Sequence, residues 1–174
     1  MAAPVPLSTD PTAVAVRGLH AMATGDRAEF RLLYHPAAVD RENPIQPPAS
    51  RVPGPDGVHA TALWLRAAFT DLQHQIHHTV AQANLVAVAA TMHGRHTAPI
   101  AFYASDGSVD SVFPPTGKPF TITQSHWFQV QDGQIVEHWA DRDDMSMAKQ
   151  LGWIPPTPPY LFKMVRAKQR AARS

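Results

Sequence analysis

Residues 118–141, KPFTITQSHWFQVQDGQIVEHWAD, decide the fold. Two runs rich in Thr, Ile, Val, Phe and Trp flank Asp132-Gly133, a dipeptide suited to a two-residue type I′ turn because both central residues need positive φ. The stretch predicts a β-hairpin over 119–141. With a two-residue turn Gln131 faces Gln134, and unbroken pairing then sets Phe128 against Glu137, His126 against Trp139 and Gln124 against Asp141. Side chains alternate between faces, so His126, Phe128, Val130, Ile135, Glu137, Trp139, Asp141 and Asp143 share one side. His138 and Arg142 fall on the other, with Trp127 and Gln129.

Upstream of the hairpin, HQIHHTVAQANLVAVAATMHGRHT alternates in two runs broken near Ala83-Asn84, which predicts two more antiparallel strands. Helical spacing governs the first seventy residues. Ser8, Thr9 and Asp10 offer caps and Pro11 suits a first turn, so a helix is expected over 11–23. GDRAEFRLLYHP reads as a second short helix stopped by Pro36. Val58, Ala62, Leu65 and Phe69 make the apolar stripe of a third, over 57–70. Residues 40–55 carry five prolines and no period and read as a loop. Helices first and strands afterwards make the chain α+β, a curved antiparallel sheet covered by three N-terminal helices. Residues 99–117 interrupt the strands as an insertion or lid, and IPPTPPY (154–160) reads as extended. The expected organisation is one domain over 1–153, followed by a proline-rich segment and basic tail over 154–174.

The chain has 174 residues, enough for one compact core. Fifteen Lys and Arg against fourteen Asp and Glu give a net charge of +1, so no global field favours nucleic acid or an anionic membrane. Lys163, Arg166, Lys168, Arg170 and Arg173 concentrate the basic charge in the tail. The absence of cysteine excludes disulfides, thiolate metal sites and cysteine nucleophiles. With neither a signal-peptide pattern nor an 18-residue apolar run, the chain reads as soluble and cytoplasmic. Ten histidines raise the question of metal, but His74/His78 and His93/His96 need helical spacing in segments that read as strands. No metal site is expected.

The hairpin register collects an imidazole, an indole and carboxylates on a sheet face that helices can cover, which suits a small-molecule pocket. A carboxylate desolvated there becomes a proton acceptor near neutrality. The plainer reading stands beside it: Asp143 or Asp144 caps a following helix over 145–151.

DGQIVEHWADRDDMSMAKQLG (132–152) resembles the carboxy-terminal signature of the SnoaL-like polyketide cyclases, or ester cyclases. That signature is a D-G-K-I turn, E-x-W, an aspartate four residues after the tryptophan and a closing Q-L-G. Trp139, Asp143 and Gln150-Leu151-Gly152 stand at those positions. AAFTDL (67–72), Pro115-Thr116-Gly117-Lys118 and GRHT (94–97) resemble further family motifs, so the resemblance spans about residues 10–153. It implies the cone-shaped α+β barrel shared with ketosteroid isomerase and nuclear transport factor relatives, assembled as a homodimer or homotetramer. It also implies a hydrophobic small-molecule substrate of polyketide type and an intramolecular aldol ring closure, without metal or organic cofactor, in which Asp143 is the acid/base. The chain departs from the family at Ala81-Gln82-Ala83-Asn84, where A-E-G-D is usual, and in the longer 99–114 segment, so substrate identity does not carry over.

The expected site therefore has Asp143 and His126 as catalytic residues, with Trp139, Phe128, Asp141, His96 and Asn43 against the substrate. Two alternatives stay open. One keeps the pocket but activates water for attack on an epoxide or ester, with Asp143 or Asp141 as base. The other is a non-catalytic binding or oligomerisation domain.

Overall fold

The computed structural model describes residues 10–173, without the side chain of Asn43; Ser8 and Thr9 lie outside the described residues. Helix α1 (Pro11–Thr24) starts where the Asp10 carboxylate accepts a hydrogen bond from the Thr12 amide, with Pro11 in the first turn where its missing N–H is not needed. Asp26 opens α2 (Arg27–Leu33) in the same way, accepting from the Glu29 amide at 2.8 Å. Helix α3 (Pro55–Ala68) begins one residue after Gly54, whose φ of +88° no ordinary side chain favours. Arg66 near its end donates to the carbonyls of Ala21, Met22 and Gly25, which fixes α3 across the exit of α1.

Five strands form one sheet in the order β1 (Tyr34–Asp40), β7 (Gln134–Arg142), β6 (Pro119–Gln131), β3 (Leu85–His96), β2 (Phe69–Gln82). It is curved and unclosed. The expected hairpins are present, turning at Ala83-Asn84 and at Asp132-Gly133, where φ is +50° and +77°. Strand β1 is a correction to the sequence reading, which ran helix two into Pro36 and left residues 40–55 as loop. It pairs parallel to β7 at the sheet edge, where a proline is tolerated because an edge strand does not need every backbone N–H for the ladder. The sheet is thus antiparallel except at that edge. Two further corrections concern the segments read as irregular. Residues 99–117 contain a second small sheet, β4 (Ile100–Tyr103) with β5 (Val109–Phe113), and helix α5 (Pro158–Ala171) begins inside the proline-rich stretch.

Helices α1, α2 and α3 cover one face of the main sheet. Gly18 lets α1 lie close, since a Cβ there would meet Ile135 Cδ1 at 2.6 Å. One buried cluster joins Val14, Leu19, Phe30, Tyr34, Val88, Phe128 and Ile135 under these helices. A second joins Phe69, Ile100, Phe120, Ile122, Leu151 and Trp153 under the small sheet and α4 (Asp144–Leu151). Among the described residues no helix is long and apolar enough to cross a membrane.

The register of the β6–β7 hairpin corrects the expectation that matters most for the site. Gln131 faces Gln134 and Val130 faces Ile135 as expected, but Gln129 then faces Glu137, and Val136 is left over as a β-bulge. Beyond the bulge Phe128 faces His138, Trp127 faces Trp139, Ser125 faces Asp141 and Gln124 faces Arg142. One extra residue exchanges the faces of everything that follows it. His138 and Arg142 turn in beneath the helices, while Trp139 and Asp141 turn out.

Candidate active site

A cavity of about 410 Å³ opens between the helices and the concave sheet face, lined from both buried clusters. Its wall is mostly apolar. Trp64, Phe69, Phe102, Phe113 and Trp153 form an aromatic end, and Trp64 uses its indole N–H on the Ala101 carbonyl at 2.9 Å. The polar groups collect on the concave face of the main sheet. Strand β6 presents Gln124, His126 and Phe128, β7 presents His138 and Arg142, β2 presents His74, and β1 ends in Asp40.

Four of these side chains form one line. Asp40 Oδ1 lies 3.3 Å from His138 Nδ1, His138 Nε2 lies 3.0 Å from His126 Nδ1, and His126 Nε2 lies 2.8 Å from Gln124 Oε1. The Gln124 amide nitrogen donates in turn to Met92 Sδ at 3.3 Å. The two imidazoles are nearly coplanar in orientation, at 16°, with centroids 5.3 Å apart. Burial drives the basicity of His126 well below the usual histidine value, with His138, His74 and Arg142 nearby acting in the same direction. His74 meets the His126 ring edge-on at 6.1 Å, and burial pushes it down to about 4, with its Nδ1 enclosed and unpartnered. The polar end of the cavity therefore holds two imidazoles, those of His74 and His126, that have lost most of their water.

A charged group sits beside this line. Arg142 pairs with Glu42 and reaches Asp144 Oδ2 at 3.3 Å, while Glu42 Oε1 accepts from the Ala140 amide at 3.0 Å. The Glu42 side chain is only 12% exposed, so a partner cation is needed to hold its charge there. All three residues line the cavity.

The residues expected from sequence divide accordingly. His126 and Phe128 line the cavity. Trp139 does not: the bulge puts it on the outer face, stacked on Trp127 at 6.1 Å with the Arg41 guanidinium 4.6 Å above it. Asp141 follows it outward and is exposed beside Ser125. Asp143 lies past the end of β7, exposed, where its Oδ1 accepts from the Ser146 amide at 2.9 Å as the N-cap of α4. His96 is fully buried between Phe69 and Trp153, behind the cavity wall, and burial pushes it down to about 4. The Asn43 side chain lies outside the described residues. Asp40, Glu42, His74, Gln124, His138 and Arg142 join the cavity wall without a sequence signal that assigns them to a site. For His138 and Arg142 the missing signal is the bulge, which no glycine or proline marks. For His74 an inward-facing histidine two residues after Leu72 was available as a clue.

A search of curated proteins finds no match. Among solved structures, TsrD from Streptomyces laurentii superposes with a TM-score of 0.66 at 20% identity, covering 84% of this chain and 98% of that one. IdmH from Streptomyces antibioticus, provisionally described as a polyketide cyclase, gives 0.61 at 29% identity, covering 82% and 99%. A Catenulispora acidiphila protein with a ketosteroid isomerase-like fold gives 0.59 at 12% identity, covering 80% and 92%. The fold is thus of the ketosteroid isomerase type. The SnoaL-like polyketide cyclase family matches residues 13–151, most of the chain, and the protein belongs to that family.

Proposed function

We propose that the protein is a cyclase of the aldol type, acting on a hydrophobic carbon acid of polyketide type with His126 as its general acid/base. The observation that carries this is the buried His126 on the wall of an apolar cavity, bonded through His138 to Asp40. The substrate's apolar body lies against the aromatic end, and its acidic methylene meets His126 in place of the Gln124 amide. His126 Nε2 takes the Cα proton. The resulting enolate carbon attacks a second carbonyl of the same molecule, one C–C bond forms as that C=O opens, and the alkoxide receives the proton back from His126. The product is an isomer of the substrate, so no co-reactant is needed. The imidazolium that develops at His126 is sheltered by His138, whose other nitrogen faces the Asp40 carboxylate. In this reading Asp143 holds the start of α4 and moves no proton.

The test needs no knowledge of the natural substrate. In D₂O the wild type should accelerate deuterium exchange into the activated methylene of an aryl β-diketone, and His126→Gln should lower that rate by about 10²–10⁴-fold. Exchange unchanged in His126→Gln would overturn the assignment.

A second reading has one observation in its favour. Arg142 bridges Glu42 and Asp144 on the cavity wall, a carboxylate–guanidinium–carboxylate set that could hold a water against an epoxide or ester. Loss of turnover in Glu42→Gln with retention in His126→Gln would favour it.

A further inference from the structure

Three contacts join Asp40, His138, His126 and Gln124, and each requires one hydrogen. Both ends of the line are oxygens, the Asp40 carboxylate and the Gln124 amide oxygen, and both accept. The four ring nitrogens between them must then carry three hydrogens: one toward Asp40, one between the rings and one toward Gln124. Two neutral imidazoles carry two.

We propose that this line is a proton store that holds one proton more than its two neutral rings, and that it gives this proton up by turning the Gln124 amide over. In the turned state the amide nitrogen donates to His126 Nε2, His126 Nδ1–H donates to His138 Nε2, and His138 Nδ1–H donates to Asp40. Two ring hydrogens then satisfy the same three contacts. The turn gives up only the Gln124 contact to Met92 Sδ, a weak acceptor at 3.3 Å. The filled and emptied store differ by one proton, one side-chain rotation and the ring nitrogen that carries the hydrogen shared between His138 and His126.

The surroundings disfavour the extra proton on His126. His126 is the more desolvated ring, and His74 and Arg142 both oppose charge on it. His138 has the Asp40 carboxylate at 3.3 Å. Of the other groups that face the line, Tyr34 from β1 is held in its neutral form chiefly by burial. Glu42, just after β1, is held by Arg142 and the Ala140 amide. His74 from β2 is neutral, with His20 and His93 beyond it. Asp40 and His138 are therefore positioning residues that set the charge of His126. This rests on the reading of His126 as the acid/base: the emptied store is the form that accepts a substrate proton, and the filled store is the form that returns one.

Long-range ¹H–¹⁵N NMR of the full chain, without substrate, reads the protonation of each ring nitrogen directly. Between about pH 5 and 9 the two rings should pass together from three N–H groups to two, and the Gln124 side-chain amide resonances should move in that same step. Asp40→Asn should shift the step to lower pH by removing the carboxylate that favours the extra proton. Gln124→Glu should shift it to higher pH, and circular dichroism of both variants checks that they fold. Rings that titrate independently, or Gln124 resonances unmoved through the step, would overturn the store. The result is separable from the cyclase reading: a concerted step in a protein that exchanges no carbon-bound hydrogen would retain the store and discard the cyclase, and the converse would do the opposite.

Discussion

Phe128 stands across the β6–β7 ladder from His138, with ring centroids 4.7 Å apart, where an unbroken hairpin would have set Glu137. The cause is the single unpaired residue Val136. It turns His138 and Arg142 toward the helices and frees Trp139 to stack on Trp127 outside, with planes 2° apart. The bulge thereby adds His138 and Arg142 to the polar end of the cavity.

Cross-linking measures this register in solution, and the native chain has no cysteine to interfere. Ser125→Cys with Asp141→Cys should oxidise readily to a disulfide, because paired strand residues have Cα atoms about 4.5–5.5 Å apart, within the range a disulfide spans. Ser125→Cys with Ala140→Cys should stay reduced, its two side chains being on opposite faces. The reverse result on non-reducing gels would restore the unbroken pairing.

Much of the architecture was legible because it follows from local chemistry. Asp132-Gly133 can hardly be other than a turn, Asp10-Pro11 and Asp26 are helix starts, and the alternation in 85–96 is carried through in the buried and half-buried positions of β3. The site was legible only in part, because its geometry depends on non-local pairing. The bulge arises where β7 must pair with β6 on one side and β1 on the other, and nothing near Val136 announces it. Asp40 and Glu42 fall in the stretch that reads as a loop for its five prolines and lack of period, and only the parallel partner β7 makes that edge strand worth forming. Asp143 was singled out by its distance from Trp139, which fixes its place along the chain but not the direction its carboxylate points.

Two buried histidines make the protein acid-labile. His74 and His96 are pushed down to about 4 from 6.5, so both stay neutral in the fold while the unfolded chain protonates them at about 6.5. A lowered folded value contributes stability above the unfolded pKa, and that stability is lost as pH falls from about 6.5 toward 4. Urea midpoints should fall over this window. His96→Phe, which keeps a ring between Phe69 and Trp153, should flatten part of the slope. A slope identical to wild type would mean that His96 is solvated in the fold.

Tyr160 anchors the tail. Tyr160 donates its hydroxyl to the Pro114 carbonyl at 2.9 Å and packs on the cluster that contains Trp153, whereas α5 beyond it buries no residue and leaves Leu161, Phe162 and Val165 exposed. Stopping the chain after Tyr160 should leave the melting temperature of the monomer nearly unchanged. Stopping it after Trp153 should lower it and loosen the β4–β5 wall of the cavity, seen as faster amide exchange in 100–113. Tyr160→Phe isolates the hydrogen bond, worth about 1 kcal/mol. If removal of 161–174 alone unfolds the protein or breaks an oligomer apart, α5 is an assembly element.

Asp143 and His126 make opposite predictions, and the same two assays separate them. Asp143 caps α4 through one hydrogen bond from the Ser146 amide, so Asp143→Ala should cost about 0.5–2 kcal/mol of stability. Asp143→Asn, which caps almost as well, should cost little. Neither change should touch the deuterium exchange rate beyond what unfolding explains, because the carboxylate is exposed and does not line the cavity. His126→Gln should abolish most of that rate, while its effect on stability stays modest because Gln keeps a polar partner for Gln124 and His138. A fall of about 10²-fold or more in Asp143→Asn, with the melting temperature intact, would return the proton transfer to Asp143. It would also require the end of β7 to swing inward when substrate binds.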